Sequence, residues 1–174
     1  LQLTLFCLYE LHYSGLEGAS DEWEWAPGLI QLRHSLEKPF EAALRQAAQE
    51  AAGELEVPAD MVPTSDAVAA VLFGLAAQDS GPSLSRYVAK KATMDQLKEF
   101  LVHKSIYQLK EADPHTFAIP RLSGRAKAAL VEIQADEYGG GRPERMHSTL
   151  FARTMSGLGM DCSYGAYVDT VPAI

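Results

Sequence analysis

Apolar residues recur at three- and four-residue intervals along almost the whole chain, and nowhere alternate long enough to make a sheet. The pattern predicts a first helix over about Leu3 to Tyr13, stopped by Gly15. Asp21 to Pro27 reads as a turn whose tryptophans, Trp23 and Trp25, pack on neighbouring helices. A second helix is expected from Pro27 to Glu54, kinked or broken at Pro39, with an alanine-rich second half suited to close packing. After a loop from Pro58 to Pro63, Thr64 or Ser65 caps a helix to about Gln78, with Val68, Val71, Leu72 and Leu75 at core spacing. Ser80-Gly81-Pro82 ends it, and a short helix follows over Leu84 to Lys91.

From Thr93 the signals sharpen. Thr93-Met94-Asp95-Gln96 has the capping-box form, in which hydroxyl and amide satisfy free N–H groups at a helix start. That helix is expected to run from Met94 to about Asp113, with Pro114 and Pro120 interrupting the chain beyond it. Ser123-Gly124 marks a turn, and a further helix spans Arg125 to Tyr138. Gly139-Gly140-Gly141 and Pro143 break it before helix resumes through Met146, Leu150 and Met155 to about Leu158. The expected organisation is one structural domain, with N-terminal helices over 1–92 and core helices over 93–174.

Composition narrows the class. Of 174 residues, 47% are hydrophobic and 22% charged, with a formal net charge of −8. That acidity disfavours nucleic acid as a partner, because phosphate binding needs clustered cations. The sole basic pair, Lys90-Lys91, reads as a solvated helix end. No run approaches the roughly 18 apolar residues of a membrane span. The apolar opening Leu1 to Leu8 lacks the basic stretch and cleavage site of a signal peptide. Cys7 and Cys162 lie far apart without metal-ligand spacing, which suits buried thiols in a reducing, cytoplasmic setting. Leu1 in place of Met, and the apolar Val171-Pro172-Ala173-Ile174, read as cuts in a longer chain. The apolar first helix suggests a homodimer.

Candidate chemistry centres on three residues. On an ideal helix Glu111 lies within about 20° of Phe100 and about 40° of Leu97 and Tyr107, a carboxylate on an apolar stripe. Such a group needs an arginine, a hydrogen-bond network or a metal. Glu137 follows 26 residues later, with the Ser123-Gly124 turn midway. Residues 125–137 climb about 18–20 Å as helix, and 114–122 can span up to about 30 Å, so the two carboxylates can meet. Two buried like charges repel unless a proton or a cation lies between them. His147, ten residues beyond Glu137 and just past the glycine break, is the third candidate. Carboxylate and imidazole together suit Fe, Mn or Zn. A salt bridge for Glu111 and a core hydrogen bond for His147 are the alternatives. Of Glu132 and Asp136, on the same helix as Glu137, at most one can face the same cleft, and both are expected in surface pairs with Arg125, Lys127 or Arg142. His103 is expected to pack, and His12, His34 and His115 have no partner at useful spacing. Tyr107 and Tyr138 could hydrogen-bond a ligating carboxylate from behind.

At Glu111, Glu137 and His147 the sequence resembles the haem-oxygenase-like di-iron oxidases, a family of iron-containing redox enzymes. Phe100 to Phe151 carries most of the likeness, in Tyr-Gln-Leu-Lys-Glu, Glu-Ile-Gln-Ala-Asp-Glu-Tyr-Gly-Gly-Gly and Arg-Met-His. The resemblance implies an all-α, haem-oxygenase-like helical bundle binding iron, two Fe2+ per complete site, with O2 as co-substrate. A small organic molecule such as an amine or amino acid derivative would be oxidised. The family completes its site with a third helix bearing His-x-x-x-Asp-x-x-His, yet no histidine follows His147 here. The bundle is therefore expected to be incomplete, and this chain alone to hold a metal weakly and lack activity. Two other readings stay open: a non-catalytic helical binding module on the same scaffold, and a metal-free, thiaminase-like relative with Cys7 or Cys162 as nucleophile.

Overall fold

The computed structural model describes residues 1–52, 60–77 and 81–172, and every regular element among them is helical. The all-α class is thus as the pattern predicts. The expected helix ends at Glu54 and Gln78, the loop start at Pro58, Ser80 and the terminal Ile174 lie outside the described residues. The chain divides into two compact units, one over Leu3–Leu84 and one over Ser85–Ile174.

In the first unit, α1 covers Gln2–Tyr13, α2 covers Pro27–Ala52 and α3 covers Ser65–Ala77. Gly15, at φ 78, accepts the left-handed turn that ends α1. A 3-10 turn over Asp21–Trp25 follows, where the Glu22 N–H donates to the Ser20 hydroxyl. Pro27 opens α2, where its missing N–H costs nothing. Pro39 lies inside α2 without ending it. Polar groups join α1 to α2: the Tyr9 hydroxyl donates to Glu37 at 2.7 Å, and the Arg33 guanidinium lies over the Tyr9 ring. Burial first, and then Glu37, push the Tyr9 phenol up to about 12.

Trp23 and Trp25 do meet neighbouring helices, although both stay exposed: Trp23 lines a small pocket with Leu8 and Leu11 of α1 and Leu29 and Ile30 of α2, and the Trp25 ring lies 6.2 Å from that of His12. Two other expectations for this unit are corrected. His12 has a partner after all, Glu24 at 2.7 Å, and His34 approaches Glu37 at 3.9 Å. In α3, Val68 and Leu72 are exposed and no residue is fully buried. Phe73 and five alanines add apolar surface all round this helix, so spacing alone could not single out an inward face.

In the second unit, α4 is Leu84–Lys90, α5 Met94–Gln108, α6 Ala112–Thr116, α7 Gly124–Glu137 and α8 His147–Gly157. The capping box at Thr93 and Gln96 is formed as predicted. Helix α5 stops at Gln108, short of the expected Asp113. Pro114 has no N–H to bond the carbonyl four residues back, so the chain turns at 109–111 and restarts as α6. Helix α5 packs on α8 and α6 on α7, with Leu101, Ser105, Ala112, Gln134 and Met155 buried. Cys7 and Cys162 are both reduced and half-buried rather than buried. No helix among the described residues is long and apolar enough to cross a membrane.

Candidate metal centre

Each of the three candidate side chains sits at the end of an element. Glu111 is the residue before α6, Glu137 is the last of α7, and His147 is the first of α8. Glu111 and Glu137 line one cavity of about 250 Å3, with Lys110, Tyr138, Met146 and Ser148. His147 turns its Nδ1 to within 2.8 Å of Glu137 Oε2. That oxygen is buried and has no hydrogen bond, so the short approach lacks the alignment an N–H donor requires. The structure therefore brings Glu137 and His147 together and sets Glu111 on the same cavity. No three His, Cys, Asp or Glu side chains among the described residues are gathered into a ready-made metal cage.

The glycine break explains how His147 returns to Glu137. Gly139, Gly140 and Gly141 all have positive φ, at 65, 62 and 77. A Cβ on Gly139 would lie 2.6 Å from the Arg145 carbonyl carbon and 2.7 Å from the Met146 nitrogen. Residues 145–146 thus cross directly over Gly139, and the next residue is His147. Pro143 opens a 3-10 turn over Pro143–Arg145 that completes the reversal.

Behind the carboxylates lies a polar layer. Gln108 Nε2 donates to Glu111 Oε2 at 2.9 Å, and the Tyr107 hydroxyl also bonds Glu111. Burial raises the Tyr107 phenol above its usual range, and the nearby charges of Glu111 and Glu137 raise it further. Tyr138 donates to Asp113 Oδ1 at 2.8 Å and meets the Thr116 hydroxyl at 2.9 Å. Its phenol is raised by burial, lowered by Thr116 and raised again by Asp113. Gln134, 3% exposed, donates to the Ala112 carbonyl at 2.7 Å and to Thr116 Oγ1 at 2.8 Å.

Tyr107 bonds the candidate ligand Glu111, as the sequence suggests, whereas Tyr138 bonds Asp113, which is not a candidate ligand. Asp136 is exposed and faces the other ring nitrogen of His147 at 4.0 Å, in place of the expected arginine or lysine. Sequence reasoning missed Gln134, Thr116 and Gln108. A signal existed for the first: Gln134, Glu137 and Tyr138 are spaced i, i+3, i+4 and share one face of α7.

The chemistry of this donor set can be tested against a metal. A buried carboxylate oxygen without a hydrogen bond, beside an imidazole nitrogen and on one cavity with a second carboxylate, is a set that a hard or borderline cation satisfies. The residues fit. No curated protein matches the chain. Residues 98–174 match the model of a family described as iron-containing redox enzyme, a stretch that holds Glu111, Glu137 and His147. Over residues 98–174, rather less than half of its length, the chain is thus similar to iron-containing redox enzymes.

Proposed function

We propose that this chain carries the iron site of a non-haem oxidase, with Glu111, Glu137 and His147 as ligands. The observation that carries the reading is the orphaned Glu137 Oε2, 2.8 Å from His147 Nδ1 on the cavity shared with Glu111. At that spacing the Glu137 carboxylate and the His147 imidazole would hold a cation together. Without a cation, an unsatisfied buried acceptor costs about 1–3 kcal/mol, and more for a charged one.

The complete centre we propose is di-iron, uses O2 and oxidises a small organic substrate such as an amine or amino acid derivative. Bound iron would supply the Lewis-acidic, electron-transferring centre at which dioxygen reacts. The protein supplies the rest. Gln108 and Tyr107 fix the Glu111 carboxylate from behind. The Gly139 crossing aims His147. Leu109 and Met146 give the cavity an apolar wall. At about 250 Å3 it lies below the roughly 300–1,000 Å3 of drug-sized ligand sites, so the substrate is small. A cytoplasmic location, a small molecule as the only heterologous partner, and a homodimer through α1 belong to the same proposal. The apolar side chains of Leu1 and Leu3, both exposed, favour the dimer.

A second reading, a non-catalytic helical module, draws on the same 2.8 Å approach taken as a plain His147–Glu137 ion pair. Anaerobic titration with Fe(II), followed by calorimetry, separates the two. The metal site predicts saturable binding that falls at least tenfold in Glu137→Gln. Absence of saturable binding, or unchanged binding in that variant, removes the oxidase reading in favour of the module.

A further inference from the structure

Gln134 makes no approach to any candidate ligand, yet it is among the most buried polar residues described. Its amide cannot be turned round, because Nε2 faces the Ala112 carbonyl, which only accepts. Both of its N–H groups are therefore spent on α6: one on the backbone of the residue after Glu111, the other on Thr116. Its own Cα lies one turn of α7 before Glu137. One side chain thus ties the turn that carries Glu111 to the helix that carries Glu137. Thr116 extends the tie, since its hydroxyl reaches both the Ala112 carbonyl and Tyr138.

We propose that Gln134 is a positioning residue that sets the separation of the two carboxylates across the cavity, and thereby the metal affinity of the centre. The inference rests on the iron-site reading above. Two features favour it over ordinary packing. The contact is polar and buried where apolar Val131 and Ile133, on the same helix, are left exposed. And Gln134 Oε1 is buried without a hydrogen-bond partner, a cost that a packing residue such as leucine or methionine would avoid.

The test uses Mn(II), a paramagnetic divalent probe, with the full chain, its Gln134→Met variant and its Thr116→Val variant. Circular dichroism first fixes a temperature at which each is folded. Affinity is then read from the free-Mn(II) resonance signal. Gln134→Met keeps length and bulk but removes both tethers, and should weaken Mn(II) binding by about 10–100-fold, the usual effect of losing a group that orients ligands. Thr116→Val removes one tether and should weaken it less, about threefold or more, and the two changes together should fall short of their product. Loss of stability with unaltered affinity would make Gln134 a packing residue and overturn the proposal. Should Gln134→Met not fold at all, an unchanged affinity in Thr116→Val overturns it equally. Lack of saturable binding in the parent chain removes the metal site and this inference together, whereas parent binding matched by both variants removes the inference alone.

Discussion

Replacing Gly139 by alanine should be far more damaging than replacing Gly140, although the two are neighbours with nearly the same backbone. Both lie in the left-handed region, at φ 65 and 62, where any Cβ costs about 1–2 kcal/mol. Around Gly140 nothing lies within 4 Å of an added Cβ, so the backbone term is the whole effect. At Gly139 the Cβ would stop 2.6 Å from the Arg145 carbonyl carbon, about 0.8 Å inside ordinary contact. The neighbour is main chain and cannot rotate aside, so 145–146 must lift. Forced overpacking of this kind adds about 1–3 kcal/mol, which brings Gly139→Ala to about 2–5 kcal/mol. The lift is transmitted to His147, one residue on, and opens its 2.8 Å approach to Glu137. Urea denaturation followed by far-ultraviolet circular dichroism gives the stability difference, and Fe(II) calorimetry gives the effect on the site. Equal stabilities for Gly139→Ala and Gly140→Ala would refute the close crossing, and with it the account of how His147 is aimed.

Two other outcomes follow from local chemistry. Thr93→Ala removes the side-chain acceptor of the capping box at the start of α5 and should cost about 1 kcal/mol in urea denaturation; no measurable change would mean the box is dispensable. A free tyrosine ionises near 10, whereas Tyr9 is held up to about 12 by burial and by Glu37. The unfolded chain thus loses this proton first, so the contribution is complete below pH 10 and fades as pH climbs from 10 to about 12. In an ultraviolet absorbance titration, Tyr9→Phe should delete a late-ionising phenol near pH 12; an unaltered late phase would count against the Tyr9–Glu37 bond.

Much of the helical order could be read from punctuation. Gly15, Pro27, Thr93, Ser123 and the three glycines each end or begin an element for a local reason that survives folding. What failed were inferences about faces. Sequence spacing sets Glu111 on the apolar stripe of a helix, yet that helix stops at Gln108, because Pro114 withdraws a donor and the turn at 109–111 rotates the stripe away. Glu111 still reaches the cavity, but from a turn rather than from a helix face. Pairings distant in sequence were equally illegible: nothing in the spacing links His12 to Glu24 or Gln134 to Ala112, since both depend on how the intervening chain folds back. The expectation for α3 failed for another reason, as a helix apolar on every side offers no period to read.

The central claim is that Glu111, Glu137 and His147 share one cation, and proton NMR of the five histidine rings during Mn(II) addition tests it most directly. The account predicts that the His147 ring signals broaden first and saturably as metal is added, and that Glu111→Gln or Glu137→Gln sharpens them again. Broadening that spreads evenly over His12, His34, His103, His115 and His147, or that spares His147, would contradict it.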